Sequence, residues 1–358
     1  MSNKNRIQEL AKTVVNYSVS VKPNENVIIS GSTEAQEFIL ALYKEVILAG
    51  GHPILRVSIP GTTPFFYKNA NQAQLEKFPD HFEYMVKNSH KYIGISTENN
   101  TRELTSCDSK KMTIRSKVTH SISEYICNSR PKMCRVTVGF PCQALAQEAE
   151  MSLEEYENFV FGACLQNWEE LGKLMDKIAL SFKKNSEVHL IGEGVDLKMR
   201  VHGDLAKADK GEENMPGGEV FMAPVRESLE GWIRFDYPAI RDGKEVTDIF
   251  VRFKSGKAIE IKASKNEDFL KEMLATDENS SYVGELGIGC NPQVTQFTKD
   301  LLFDEKIGGT IHLAFGAAYK DNGGGNESAI HWDIVKDMHK AKIIVDGKVI
   351  QENGEWRL

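Results

Sequence analysis

The sequence predicts a two-domain α/β protein, in which an N-terminal parallel-sheet α/β domain is followed by a strand-rich α+β domain. A strand–helix–strand pattern near the N-terminus and a change to alternating apolar residues beyond residue 186 both favour this class. The chain has 358 residues, which is enough for two domains of ordinary size. We place the boundary in the polar segment 183–186, which divides the chain into domains 1–184 and 185–358.

The first domain is predicted from a β-α-β pattern. Short apolar strands at 26–30 and 53–57 flank a helix that ends at Gly50-Gly51. The apolar residues of this helix repeat at helical spacing: Phe38, Ile39, Leu42, Val46 and Ala49. Because a crossover helix joins parallel strands, we expect a parallel pair, with 92–95 and 134–138 as further strands of the same sheet.

Two sequence patterns predict the beginnings of helices. Thr33 with Gln36, and Ser152 with Glu155, have the spacing of a capping box. After the second box, apolar residues continue at helical spacing over 156–182. We therefore expect a long helical stretch before the domain boundary.

The second domain is predicted from strand periodicity and turn residues. Apolar and polar residues alternate over 195–201, as in a half-buried strand. Ser255-Gly256 and Asp346-Gly347 each separate two apolar runs, which predicts β-hairpins over 249–261 and 343–350. The second domain should therefore be strand-rich and antiparallel.

Composition narrows the class of protein. The net charge is −7 and the sequence pI is about 5.8, which argues against a general nucleic-acid binder. The polar N-terminus leads into Ile7 and Leu10 and predicts a first helix, not a signal peptide. No apolar run approaches about 18 residues, so no membrane span is expected. Six cysteines without a Cys-x-x-Cys pair indicate free thiols in a reducing cytoplasm.

Metal-type ligands are concentrated in the last part of the chain. Glu219 follows Pro216-Gly217-Gly218 and precedes an apolar segment, so a turn delivers a carboxylate among apolar residues. Glu285 lies between Gly284 and Leu286, where its carboxylate would be largely buried. An ionised carboxylate is costly to bury unless it is paired or bound to metal. Two histidines accompany these carboxylates, a mixture of nitrogen and oxygen donors that suits a divalent metal.

The histidines allow two interpretations. His331 and Asp333 would point to the same side of a strand, with Trp332 on the other side. They form either a ligand pair or a hydrogen-bonded surface pair. His312 lies in an apolar strand and is either a ligand or a core histidine with ordinary hydrogen-bond partners.

Two further residues have equally ordinary alternatives. Glu305 is a ligand, a solvated loop acid or a salt-bridge partner. Tyr319, seven residues after His312, either polarises a substrate carbonyl or packs against its neighbours. The phosphate-loop, His-Glu-x-x-His and Gly-x-Ser-x-Gly motifs are all absent from the sequence.

Taken in order along the chain, these segments resemble the thermophilic-type metallo-aminopeptidases, the aminopeptidase T and aminopeptidase S family. The matching segments are 214–221, 284–286, 303–305, 311–316 with Tyr319, and 331–333. The resemblance implies a dinuclear exopeptidase site whose metal ligands are Glu219, Glu285, Glu305, His312, His331 and Asp333. It also implies that Tyr319 is a catalytic side chain and that a glutamate, in our preference Glu285, bridges the two metals.

The resemblance thus predicts a metal-dependent aminopeptidase that hydrolyses N-terminal residues from peptides. It implies two divalent ions, for which ligand chemistry allows Zn, Co, Mn or Mg, and a cytoplasmic homodimer. Its partners would be peptides with a free N-terminus, without nucleic acid or membrane. Two alternatives stay open, namely another dinuclear metal hydrolase, such as an amidohydrolase or phosphoesterase, and a non-catalytic binding protein with the same fold.

Overall fold

The computed structural model describes residues 3–241 and 243–358, which form two compact units. Of these residues, one unit contains 3–166 and 211–217, and the other contains 167–210, 218–241 and 243–358. The first carries a parallel sheet and the second is dominated by antiparallel sheets, as the sequence predicted. The predicted domain boundary after residue 184 stays a prediction.

The helices and the strands are each numbered in chain order. The helices are α1 (Asn3–Thr13), α2 (Gln36–Leu48), α3 (Thr62–Asn69), α4 (Gln72–Glu76), α5 (Asp80–Lys87), α6 (Ser109–Asn128), α7 (Gln143–Glu148), α8 (Leu153–Cys164), α9 (Trp168–Leu180), α10 (Glu267–Met273) and α11 (Leu301–Asp304). The strands are β1 (Asn26–Ser32), β2 (His52–Ser58), β3 (Lys91–Ser96), β4 (Cys134–Gly139), β5 (Lys184–Gly192), β6 (Val195–His202), β7 (Lys207–Asp209), β8 (Asn214–Met215), β9 (Glu219–Met222), β10 (Glu230–Arg234), β11 (Ala239–Arg241), β12 (Lys244–Val246), β13 (Phe250–Lys254), β14 (Lys257–Lys262), β15 (Val283–Gly289), β16 (Thr310–Gly316), β17 (His331–Asp337), β18 (Ala341–Val345), β19 (Lys348–Glu352) and β20 (Glu355–Trp356).

The sheet of the first unit is parallel throughout. Its strand order is β2-β1-β3-β4-β8, so the predicted β-α-β unit and both further strands are confirmed. In this unit, Ile28 of β1 packs in one buried cluster with Ile122 and Ile126 of α6. On α2, Phe38 stacks on Phe140 with ring centroids 4.9 Å apart.

Two predictions about helices were wrong in detail. The predicted capping box at Thr33 does not form, because the Oγ of Ser32 accepts the Glu34 N–H and opens a 3₁₀ turn that precedes α2. The box at Ser152 does form at the start of α8. The long stretch over 156–182 is two helices, because the chain leaves the helix after α8 and the Asn167 side chain caps the first turn of α9.

The second unit contains two antiparallel sheets with more than two strands. One has the order β14-β13-β10-β6-β5-β18-β19-β20, and both predicted hairpins lie in it. Asp346 and Gly347 have φ values of 49° and 81°, the left-handed turn residues that the second hairpin needs. The other sheet has the order β17-β16-β15-β9-β7, and β11 pairs only with β12.

The second of these sheets lies in the core of its unit. Every residue of β15 and β16 is buried, and β17 is buried over 332–336. Helix α9 packs against β7 and β9 at the opposite edge. In the described part of the chain, no helix is long and apolar enough to cross a membrane.

Candidate metal centre

Strand register brings five of the predicted ligands onto one face of this sheet. Residues directly opposite each other on antiparallel strands point to the same side. The register pairs Gly287 with His312 and Glu285 with Ala314, and Ala314 in turn with Asp333. It also pairs Gly289 with Glu219 and Gly316 with His331. Glycine and alanine therefore lie opposite the polar residues and leave room above the sheet for carboxylates and imidazoles.

His312 lies at the middle of this face. It is fully buried, and neither ring nitrogen has a hydrogen-bond partner among the residues that the structure describes. Its Nε2 lies 3.4 Å from Glu219 Oε2, 3.5 Å from Glu285 Oε1 and 3.9 Å from Asp333 Oδ1. Three carboxylates therefore surround one nitrogen at distances too long for good hydrogen bonds. An imidazole nitrogen without a partner in a buried site is a candidate metal ligand.

His331 is held in one orientation by the backbone. Its Nδ1 lies 2.8 Å from the carbonyl oxygen of Ala317, and because a carbonyl only accepts, Nδ1 carries the hydrogen. The lone pair of Nε2 then faces Asp333, whose Oδ2 is 3.5 Å away. The predicted common side of His331 and Asp333 is confirmed. Trp332 packs on the other side, edge-on to Phe269. A backbone acceptor behind a histidine is the usual support of a metal-binding imidazole.

A glycine turn delivers Glu219 to the start of β9. Gly218 has φ of +115°, and a Cβ there would lie 2.6 Å from the Cβ of Asn291. The turn is fixed on both sides, because Gly218 N donates to Asp209 O and Cys290 N donates to Gly218 O. Only glycine satisfies both the backbone conformation and the close approach. The turn predicted from Pro216-Gly217-Gly218 therefore has a defined structural role.

Glu305 joins the cluster from a different element. It follows the short helix α11, and its Oε1 pairs with the ammonium of Lys306. The same ammonium lies 3.3 Å from Glu219 Oε1, and Lys306 is completely buried. Glu305 is thus the salt-bridge partner that the sequence allowed as one alternative, and it also lies within reach of His312 and Asp333.

Tyr319 lies at the edge of the group. Its ring centroid is 5.3 Å from that of His331, at the start of a 3₁₀ turn over Lys320–Asn322. The side chain is 52% exposed, whereas that of His312 is fully buried. An exposed phenol beside the partly exposed His331 is placed where an incoming substrate could reach both.

The crowding of charge changes the protonation of the cluster. Burial, with the nearby carboxylate of Glu305, raises the pKa of Glu219 to about 8. Burial opposes the charged form of His312, yet the carboxylates of Glu285, Glu219 and Asp333 outweigh it and raise the pKa to about 10. Burial also raises the pKa of Asp333. For Glu305 burial is outweighed by the Lys306 ammonium and the two imidazoles together, and the pKa is lowered.

The donor set fits a metal ion by its own chemistry. Three groups each place one ligand atom per residue within 4.8 Å of one another: Glu219 with Glu285 and His312, Glu285 with His331 and Asp333, and Glu305 with His312 and Asp333. Buried atoms without partners include Glu285 Oε2, Asp333 Oδ1 and both His312 nitrogens. Such atoms are costly to bury unless a cation satisfies them. Carboxylate and imidazole donors suit a divalent cation.

Sequence reasoning missed two residues of the site. One is Lys306, for which the sequence offered a signal, because a lysine directly after a candidate acidic ligand could form an ion pair with it. The other is Gly287. A Cβ at Gly287 would lie 2.0 Å from Nε2 and Cε1 of His312, so the ring fits only because this residue has no side chain.

Comparison with known proteins gives a consistent result. The sequence model of the thermophilic metalloprotease family (M29) matches residues 3–356. Aminopeptidase AmpS from Bacillus subtilis is 25% identical, with 98% of each chain covered. Aminopeptidase T from Thermus thermophilus is 36% identical over 53% of this chain and 54% of its own length.

Solved structures show the same fold. Wild-type AmpT from Thermus thermophilus superposes with a TM-score of 0.83 at 23% identity, covering 99% of this chain and 100% of that one. A 2,5-dihydroxypyridine dioxygenase from Pseudomonas putida gives a TM-score of 0.64 at 12% identity, with 99% and 98% coverage. Because proteins with different names share this fold, the fold alone does not decide the chemistry.

Proposed function

The chain belongs to the thermophilic metalloprotease family (M29), and on that premise we propose that it is a metallo-aminopeptidase that releases N-terminal residues from peptides. The observation that carries this proposal is the buried group of carboxylates and imidazoles on one face of the sheet β17-β16-β15-β9-β7. Relatives that align over nearly the whole chain or over half of it are named aminopeptidases.

We assign the metal ligands to the residues of this group: Glu219, Glu285, Glu305, His312, His331 and Asp333. When bound, a divalent metal polarises a carbonyl group and lowers the pKa of water. Six donors are more than one four-coordinate ion uses, which favours two ions, and Zn, Co, Mn and Mg all suit these donors. Two carboxylates, Glu285 and Asp333, each contribute to two of the three donor groups, and of these we propose that Glu285 would be shared by two ions.

Three side chains of the protein would have separate roles in hydrolysis. Glu285 has a buried oxygen, Oε2, without a hydrogen-bond partner, so it is free to accept the proton of an attacking water. His331 keeps its orientation through the Ala317 carbonyl while Nε2 faces the site. The hydroxyl of Tyr319 would donate to the carbonyl oxygen of the substrate as negative charge develops on it.

The direct test uses metal removal together with matched substrates. An aminoacyl chromogenic substrate should be hydrolysed by the purified protein, should resist hydrolysis after exhaustive chelation, and should be hydrolysed again after a divalent metal is added. A peptide with a free N-terminus should be cut, whereas its N-acetylated form should be inert. Full activity in verified metal-free protein would refute the metal centre. Equal cleavage of both peptides would point instead to an endopeptidase or amidase.

We extend the proposal to the cellular setting and the assembly. The six cysteines are free thiols, which is typical of a reducing cytoplasm. We propose a homodimer by similarity to the family. Light scattering should give the mass of two chains, and a monomer mass across a range of concentrations would contradict this part of the proposal alone.

A further inference from the structure

Lys306 is a buried cation in the middle of the proposed ligand group. Its side chain is completely buried, and its ammonium contacts the carboxylates of Glu305 and Glu219. The carboxylate of Asp209, also buried, adds to the negative field at the ammonium. Isolated lysines are almost never fully buried, because the loss of hydration is compensated only by close opposite charge.

The ammonium divides the two oxygens of Glu219 between different partners. Oε1 lies 3.3 Å from Lys306 Nζ, whereas Oε2 lies 3.4 Å from His312 Nε2. In Glu305, Oε1 is likewise the oxygen that contacts Lys306. One oxygen of each glutamate is thus held by the lysine, and the geometry leaves the rest of the carboxylate for the centre of the cluster.

We propose that Lys306 is a positioning residue that acts as a built-in counter-ion: it keeps the ligand group assembled and folded when metal is absent. The proposal rests on the metal centre proposed above. Four acidic ligands lie close together: Glu219, Glu285 and Asp333 are buried, and Glu305 is partly exposed. Without metal, the repulsion among these carboxylates is opposed by the Lys306 ammonium, which contacts two of them directly.

This role has a thermodynamic consequence. The ammonium and the metal would neutralise the same carboxylates. Each therefore stabilises the fold less when the other is present, and their effects on stability are coupled. A ligand that binds the folded state stabilises it in proportion to its affinity. Removing the lysine should therefore destabilise the metal-free protein more than the metal-loaded protein. A lysine that served only for packing would affect both forms equally.

The test compares two lysine variants, each with and without metal. Lys306→Met keeps the length of the side chain and removes its charge. Lys336→Met is the matched control, because Lys336 is also buried and lies on ligand strand β17, but pairs with Asp236 outside the ligand group. The melting temperature Tm of each protein is measured after chelation and again after zinc or manganese is added, each metal alone.

Lys306→Met should lower the Tm of the metal-free protein by about 10 °C, because breaking a buried ion pair leaves charges without a partner. Added metal should raise the Tm of Lys306→Met by several degrees more than it raises that of the wild type. Lys336→Met should show the wild-type increment. Equal metal increments in wild type and Lys306→Met would overturn the proposal.

Three further outcomes also test the proposal. If Lys306→Met folds only with metal present, the proposal is supported. If it folds under neither condition, Glu305→Gln is added, which removes one unpaired charge. The metal-free double variant should then fold, and its failure to fold would show a packing role. If metal raises the Tm of no protein, including wild type, the proposed metal centre fails and not merely the role of Lys306.

Discussion

The imidazole of His312 lies directly over the backbone of Gly287 on the neighbouring strand. A Cβ at Gly287 would lie 2.0 Å from both Nε2 and Cε1 of the ring. His312 is fully buried, so its ring is enclosed by neighbouring residues. The glycine is therefore part of the geometry of the site, although it has no side chain.

Gly287→Ala should displace His312 and weaken metal binding. We expect the metal affinity to fall by about 10–100-fold, as for the loss of other groups that orient ligands. Activity should fall with it. Gly325→Ala is the control, because no atom lies within 4 Å of a Cβ there. Metal content by elemental analysis measures the effect, and wild-type metal content in Gly287→Ala would show that the ring has room to move.

His312→Ala should lower both the metal content and the rate, because it removes a donor that three carboxylates surround. His189→Ala is a suitable control, since His189 pairs with Asp196 on another sheet. Metal content and activity would be measured on the same preparations. A His312→Ala protein that still binds two metals would show that the ligand assignment is wrong.

Tyr319→Phe should separate catalysis from metal binding. Loss of a hydroxyl that stabilises the developing oxyanion should lower kcat by roughly 10²–10³, with much less change in KM and none in metal content. Tyr84→Phe removes the hydroxyl of another exposed tyrosine and should leave the rate unchanged. If Tyr319→Phe keeps the wild-type kcat, the hydroxyl takes no part in the reaction.

Metal binding should release protons near neutral pH. In the metal-free protein the carboxylates around His312 outweigh burial and raise its pKa to about 10, so the ring is protonated at pH 7. A metal ligand must be deprotonated, so the metal affinity should rise as the pH rises towards this value. Titration calorimetry in two buffers of different ionisation enthalpy counts the protons released. A metal affinity that does not change between pH 6 and pH 9 would contradict this prediction.

Asp277 should set part of the acid stability of the fold. Burial raises its pKa, but hydrogen bonds from the Ala329 N–H, the Ser328 hydroxyl and the Asn279 N–H outweigh it and lower the pKa from 3.8 to about 2. A lowered folded-state pKa contributes stability above about pH 4, and this contribution is lost as the pH falls towards 2.

Asp277→Asn should therefore lower the free energy of unfolding by about 1–2 kcal/mol at pH 7, and by almost nothing at pH 2. Glu278→Gln, the exposed neighbour, is the control. Chemical denaturation at both pH values measures the difference. An equal loss of stability at pH 7 and pH 2 would mean that the charge of Asp277 has no part in it.

The sequence by itself determined the elements of the fold and the types of ligand. Periodicity of apolar residues gave the β-α-β unit and the two hairpins, because burial of one face depends on local spacing. His331 and Asp333 could be placed on one side of a strand for the same reason. The break between α8 and α9 was missed, because apolar spacing continues through it and only the Asn167 cap marks it.

Tertiary structure decided which of these residues meet. Glu219, Glu285 and His312 are far apart in the chain, and only the register of β9, β15 and β16 brings them onto one face. The proposed role of Lys306 likewise depends on the carboxylates around it, which only the tertiary structure identifies. The sequence gives the type of each side chain, but its electrostatic surroundings come from residues that are distant in the chain. These surroundings set the pKa of each group and therefore the charge of the site that would bind a metal.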